Sequence, residues 1–217
     1  MNKIILASGS PRRRQLLEQV GIPHEVIVSG ADETIDGPPD EQTRILAMRK
    51  AEAVYDTLVK QRVFTNRGGW ACPSPTCETN PTPIDITVII AADTLVYIDG
   101  KVLGKPDSPD EAFNMLKALQ GRCHTVYTGV AVLQVGTDEN VTESFVESAQ
   151  VYFRKLTDSE IWSYISTGEP FDKAGAYGVQ EKGALLVERI EGDFFTVVGL
   201  PLSKLAVTLA KIGVEVW

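Results

Sequence analysis

Hydrophobic positions along the chain follow two alternating rhythms. Ile4-Ile5-Leu6-Ala7 and Thr87-Val88-Ile89-Ile90-Ala91-Ala92 are near-continuous apolar runs, as expected of strands buried on both faces. Between them the spacing changes to three and four. It predicts a helix from Pro11 to Val20, stopped by Gly21, and a second from Glu41 to Lys60 with Leu46, Ala53, Val54 and Leu58 on one side. His24 to Val28 reads as a short strand. Leu95 to Ile98, Asp99-Gly100 and Lys101 to Leu103 read as a hairpin. Ser108-Pro109-Asp110-Glu111 then opens a helix carrying Ala112, Met115, Leu116 and Leu119. Residues from His124 to Leu133 predict a strand, and Thr142 to Phe153 one or two more after a turn near Gly136-Thr137-Asp138. A capping box, Thr157 to Glu160, starts a helix with Ile161, Trp162 and Ile165 that ends near Gly168. Ala184 to Val187 and Thr196 to Val198 read as short strands. The last helix begins at Pro201, buries Leu202, Leu205, Ala206 and Leu209, and stops at Gly213.

Only residues 62–85 break the rhythm, with Gly68-Gly69, four prolines and no sustained period, which predicts an insertion within one domain spanning 1–217. Alternating strands and helices, with several connections short enough for antiparallel pairing, give an α/β fold with a mixed sheet.

The 217 residues, 43% hydrophobic, suffice for one substantial core. A net charge of −8 argues against a sequence-independent grip on nucleic acid, whose affinity comes from Lys and Arg neutralising phosphates, but leaves room for a small anion in a locally basic cleft. No apolar run is long enough to span a bilayer and nothing resembles a signal peptide, so a cytoplasmic protein without a membrane partner is expected. Cys72, Cys77 and Cys123 do not suggest a secreted disulfide framework. Cys72, Cys77 and Cys123-His124 form a minor zinc alternative, made awkward by adjacent ligands in a strand. His124, Trp162 and Trp217 read as structural and packing residues.

The candidate chemistry begins at Ser8-Gly9-Ser10-Pro11-Arg12-Arg13-Arg14. Ser10 suits an N-cap and Pro11 the first helical position, yet arginines at this end oppose the helix dipole. Free N–H groups, small residues and guanidinium forks together make a phosphate site. The alternative is a surface helix whose arginines are merely solvated or pair with a neighbouring acidic segment. No G-x-G-x-x-G follows a strand and no G-x-x-x-x-G-K-[ST] is present, which removes the ordinary dinucleotide and P-loop explanations. Asp93, closing an apolar run, is placed to face a cleft.

Ser8-Gly9-Ser10-Pro11-Arg12-Arg13, Lys50-Ala51, Ala92-Asp93-Thr94, Gly104-Lys105-Pro106, Gly121-Arg122 with His124, Asp172-Lys173-Ala174-Gly175-Ala176-Tyr177-Gly178 and Val198-Gly199-Leu200-Pro201 resemble the Maf family of nucleoside triphosphate pyrophosphatases, also described as septum-formation inhibitors. The resemblance covers nearly the whole chain outside 62–85. It implies a mixed, twisted sheet with flanking helices and two lobes around a central cleft, related to inosine-triphosphate pyrophosphatases. It also implies metal-dependent release of pyrophosphate. In that reading Asp93 is the general base and Lys105 a second catalytic residue; Ser8, Ser10, Arg12, Arg13, Lys50, Thr94, Lys173 and Gln180 bind substrate; and Glu33 and Asp93 hold a divalent cation, magnesium first with manganese or cobalt as alternatives. A carboxylate of ordinary acidity, pKa about 3.9, is a weak base for free water, which favours help from the cation. Each residue also has a plainer role open to it: Glu33 as a solvated loop glutamate, Lys50 on an exposed helix face, Lys105 as a loop lysine. The block ending at Gln180 resembles the branch acting on dTTP and UTP, in which Arg12, Thr94 and Gln180 match positions associated with substrate choice. The Gln180 amide offers a donor beside an acceptor, complementary to the O4 and N3–H of uracil and thymine. Small-molecule nucleotides are the expected partners, with a homodimer left open. The competing reading is a non-enzymatic, nucleotide-binding regulator of cell division or septum formation.

Overall fold

A computed structural model of the chain describes residues 3–67, 86–136 and 140–216. Its strands and helices run in the order β1 (Lys3–Leu6), α1 (Pro11–Gln19), β2 (Glu25–Val26), α2 (Pro39–Arg67), β3 (Thr87–Ile98), β4 (Lys101–Leu103), α3 (Pro109–Leu119), β5 (Cys123–Val135), β6 (Val141–Phe153), α4 (Asp158–Ile165), β7 (Val187–Glu191), α5 (Phe194–Val198) and α6 (Leu202–Lys211). The strands form one mixed sheet in the order β2-β1-β3-β5-β6-β7, with β4 also paired to β3. This is the α/β architecture expected. No described helix is long and apolar enough to cross a membrane.

Alternation along the central strands buries both faces. Ile4, Leu6, Val88, Ile90 and Ala92 pack with α1 and α6 through Leu16, Leu17, Leu205 and Leu209. Ile5, Ala7, Ile89 and Ala91 pack on the other face against Ala47, Ala51 and Val54 of α2. A third cluster forms a second lobe, where Val96, Ile98 and Val126 of the same long strands meet α3 and α4 through Leu116, Leu119, Ile161 and Ile165.

β3 passes through both lobes, and its pairing creates the opening between them. One edge is paired to β5 from Thr87 to Tyr97. On the other edge β1 covers Thr87–Ile90 and β4 covers Val96–Ile98, which leaves 91–95 uncovered by either strand. Asp93 and Thr94 lie in this gap. Opposite Asp93 in the β5 register stands Gly129. A Cβ there would lie 2.4 Å from the backbone carbon and oxygen of Thr43, so α2 crosses the sheet in backbone contact and carries Lys50 toward Asp93.

Several expectations are corrected. Asp93 does not end its strand, because β3 continues to Ile98; it is a buried residue inside the strand, within the stretch that neither β1 nor β4 covers. Helix α2 extends through Arg67, so the first residues assigned to the insertion belong to a helix; 68–85, with Cys72 and Cys77, lie outside the described residues. Thr196 to Val198 is helical because Asp193 caps Phe195 N and Thr196 N and Gly199, at φ 112°, terminates the turn. Of Ala184 to Val187 only Val187 is in a strand; the others close a 3₁₀ turn, Glu181–Leu186. The strand from His24 shrinks to Glu25–Val26, and Thr142 to Phe153 lies within the single strand β6. The Ser10 side chain makes no capping bond. Trp162 is 42% exposed and stacks on Phe113, with ring centroids 4.9 Å apart, so it is a surface residue and not a core one. Trp217, Thr137 and Asp138 lie outside the described residues.

Candidate active site

Four connections converge on the gap in β3. The turn after β1 brings Ser8, Ser10, Arg12 and Arg13; the segment before α2 brings Glu33; the loop between β4 and α3 brings Lys105; and the 3₁₀-rich stretch before β7 brings Lys173 and Gln180. With Lys50 from α2 and Asp93 and Thr94 from β3, these line one cavity of about 630 Å³. All eleven residues singled out from the sequence therefore face a common space large enough for a nucleotide.

At its centre, buried Lys50 donates from Nζ to Asp93 Oδ1 at 2.6 Å and lies 2.7 Å from Glu33 Oε1. The hydrogen bond from Lys50 holds the Glu33 carboxyl below its ordinary pKa. Asp93 Oδ2 is buried and has no hydrogen-bond partner among the described residues. A buried carboxylate oxygen left unpaired is costly unless something outside the protein supplies a donor or a cation. The second oxygens of Asp93 and Glu33 are hard donors, suited to a divalent cation that takes its other ligands from phosphate and water. The described residues contain no cluster of three His, Cys, Asp or Glu able to hold a metal by themselves.

Arg13 is fixed by three nitrogens. Nε donates to Gly199 O at 2.8 Å, one terminal nitrogen to Ser8 Oγ at 3.0 Å and the other to Thr94 Oγ1 at 2.9 Å. All three acceptors are neutral, so its charge is not cancelled by an ion pair. Burial pulls its pKa below the usual value, although a guanidinium stays charged at neutral pH. Thr94 is held in turn, 3.0 Å from Thr128 Oγ1, which donates to Thr196 O. Lys105 is exposed and makes no hydrogen bond or ion pair among the described residues, and the Gln180 side chain likewise makes no hydrogen bond there. Sequence reasoning missed Asp172 as a site residue. It accepts from Arg12 at 2.9 Å and from Lys173 at 2.7 Å, and its signal was an acid beside a lysine at the start of the glycine-rich block.

His124 lies in an aromatic cluster. It is buried, with Nε2 2.6 Å from the Tyr177 hydroxyl and its ring edge-on to Phe153 and Tyr177; of the zinc alternative, Cys72 and Cys77 lie outside the described residues. Burial pushes its pKa from 6.5 down to about 4. Between these values the unfolded chain binds more protons than the folded one, so the folded state loses stability as pH falls from 6.5 toward 4. Urea unfolding of the wild type against His124→Gln should show a constant difference above pH 6.5. On acidification to about 4 the wild type should lose on the order of 3 kcal/mol relative to the variant. A difference that does not vary with pH would contradict the buried neutral imidazole.

A mixed α/β sheet opened at its centre, with cations around a half-satisfied buried aspartate, defines a protein suited to bind a phosphorylated small molecule. Residues 3–212 match the family model described as "Maf-like protein", and the chain belongs to the Maf family. Among its relatives, a "dTTP/UTP pyrophosphatase" of Moorella thermoacetica is 46% identical over 220 residues, covering 100% of this chain and 98% of that protein. A protein of the same name from Caldicellulosiruptor saccharolyticus is 43% identical over 219 residues, covering 99% and 97%, and one from Bacillus cereus is 42% identical over 218 residues, covering 100% and 98%.

Proposed function

We propose that the chain is a nucleoside triphosphate pyrophosphatase that hydrolyses dTTP and UTP to the monophosphate and pyrophosphate. The observation that carries the reading is Asp93 Oδ2, buried at the cavity wall with no hydrogen-bond partner among the described residues while Lys50 holds the other oxygen. A water donating to Oδ2 is oriented for attack on the α-phosphorus. As its oxygen bonds to phosphorus, its proton passes to Asp93 and the α–β bridging bond breaks, its electrons leaving with pyrophosphate. Arg13 and Lys105 stabilise charge on the transferring and leaving phosphates, since neither is neutralised by an acid in an ion pair. Ser8 acts through Arg13, to which its oxygen is committed. Ser10, Arg12 and Lys173 bound the phosphate and nucleoside walls, and Thr94 and Gln180 address the nucleoside. Glu33 and Asp93 would hold a divalent cation, magnesium before manganese or cobalt, which when bound neutralises phosphate charge and acidifies water. The same reading has the protein working in the cytoplasm on small molecules, without nucleic acid or membrane partners, as a monomer or homodimer.

The test is a panel of nucleoside triphosphates assayed for pyrophosphate with and without magnesium. UTP and dTTP should be cleaved, and CTP at least about tenfold less efficiently, because its base edge leaves the Gln180 amide mispaired. Preference for purines would overturn the assignment of Gln180, and binding without turnover would favour a regulator.

A further inference from the structure

Asp172 uses both carboxylate oxygens, each on a different cation of the cavity lining. Oδ2 accepts from Arg12 at the start of α1, 160 residues away in sequence, and Oδ1 accepts from Lys173. Lys173 also donates to Glu169 O at 2.7 Å, and its stem runs over Gly178, where an added Cβ would lie 2.7 Å from Lys173 Cε. The lysine is therefore laid flat against the segment that leads to Gln180. Arg12 and Lys173 are largely covered, with side chains 23% and 13% exposed. Burial opposes ionisation of Asp172, but hydrogen bonds from Lys173 and Arg12 outweigh it and its carboxyl titrates below the usual range.

We propose that Asp172 is a positioning residue for substrate recognition: one carboxylate ties Arg12 of the phosphate wall to Lys173 of the base wall and sets both before the nucleotide arrives. The proposal rests on reading the cavity as a nucleotide site. Arg12 occupies a helix N-terminus, where the dipole disfavours a cation, and the shared carboxylate brings a second cation, Lys173, near it. Without the shared acid Arg12 loses the side-chain partner it has among the described residues, and Lys173 keeps only Glu169 O. With it, Arg12 has committed one of its five N–H groups and Lys173 two of its three, so each still presents a donor of fixed direction. Pre-set donors spare the ligand the cost of ordering them, which appears as affinity more than as chemistry.

The experiment compares Asp172→Ala in the wild type and in an R12A/K173A background. In the wild type, KM for UTP and dTTP should rise about tenfold with kcat changed less than about threefold. The UTP-over-CTP preference in kcat/KM should fall, and the thermal midpoint should stay close to that of the parent. In the R12A/K173A background the same substitution should change nothing further. An unchanged KM, a lower KM, or an equal rise in both backgrounds overturns the proposal. Calorimetric binding of the non-hydrolysable α,β-imido analogue of UTP separates the two readings. A wild type that binds the analogue but does not cleave UTP loses only the proposed reaction, and Asp172 is then judged by the dissociation constant. A wild type that does not bind it loses both.

Discussion

Asp93→Asn should lower pyrophosphate release from UTP by about 10³-fold while changing nucleotide affinity by less than about threefold. Asparagine is nearly isosteric, and its carbonyl oxygen can still accept the Lys50 proton that Asp93 Oδ1 accepts at 2.6 Å. The Lys50 arm and the contact of α2 with Gly129 are thus preserved. What changes is the other side-chain atom: an amide nitrogen replaces Oδ2 and presents donors where water needs an acceptor. Removing a negative charge beside the phosphates offsets the weaker hold on a divalent cation, so nucleotide affinity changes little. Single-turnover cleavage measured alongside binding of the α,β-imido analogue checks both halves. Full turnover by the variant would remove Asp93 from the role of base; lost binding would mark it as a structural anchor.

The central strands were legible because their apolar runs require burial on both faces, and the helices because capping residues and spacing agree. Asp93 was found for a partly mistaken reason. Its place after six nearly apolar residues suggests a strand end, whereas it stands buried inside β3, in the stretch left uncovered by two short strands that share one edge and fail to meet. Such a gap is a property of pairing register, and no local pattern encodes it. The same limit applies to α5. Thr196-Val197-Val198 has strand-forming composition, but Asp193 as cap and Gly199 as stop override it. The error matters at the site, because a helix there aims Gly199 O at Arg13 and Thr196 O at Thr128. Asp172 escaped notice because its role lies in bridging two residues far apart in sequence, and only folding brings Arg12 within 2.9 Å.

Arg13→Lys is expected to be nearly as damaging as loss of the base, with kcat/KM for UTP falling about 10²-fold or more. Charge is conserved in this variant, so the argument concerns geometry. Three nitrogens of one planar group bind three acceptors on three elements: Gly199 O after α5, Ser8 Oγ after β1 and Thr94 Oγ1 on β3. An ammonium on a shorter stem cannot occupy all three positions, and each part-buried acceptor it abandons costs about 1 kcal/mol. Thr94 would then be free to turn from Thr128, and the phosphate wall would lose the fork that links the turn after β1 to β3. Urea unfolding should therefore show a lower midpoint together with the kinetic loss. The two effects separate on addition of the nonhydrolysable nucleotide: if Arg13 touches the phosphates, the variant should gain less stabilisation from saturating ligand than the wild type, because less of the binding energy is recovered. Equal stabilisation of both proteins would confine Arg13 to holding the strands together and leave Lys105 as the main cation facing the polyphosphate.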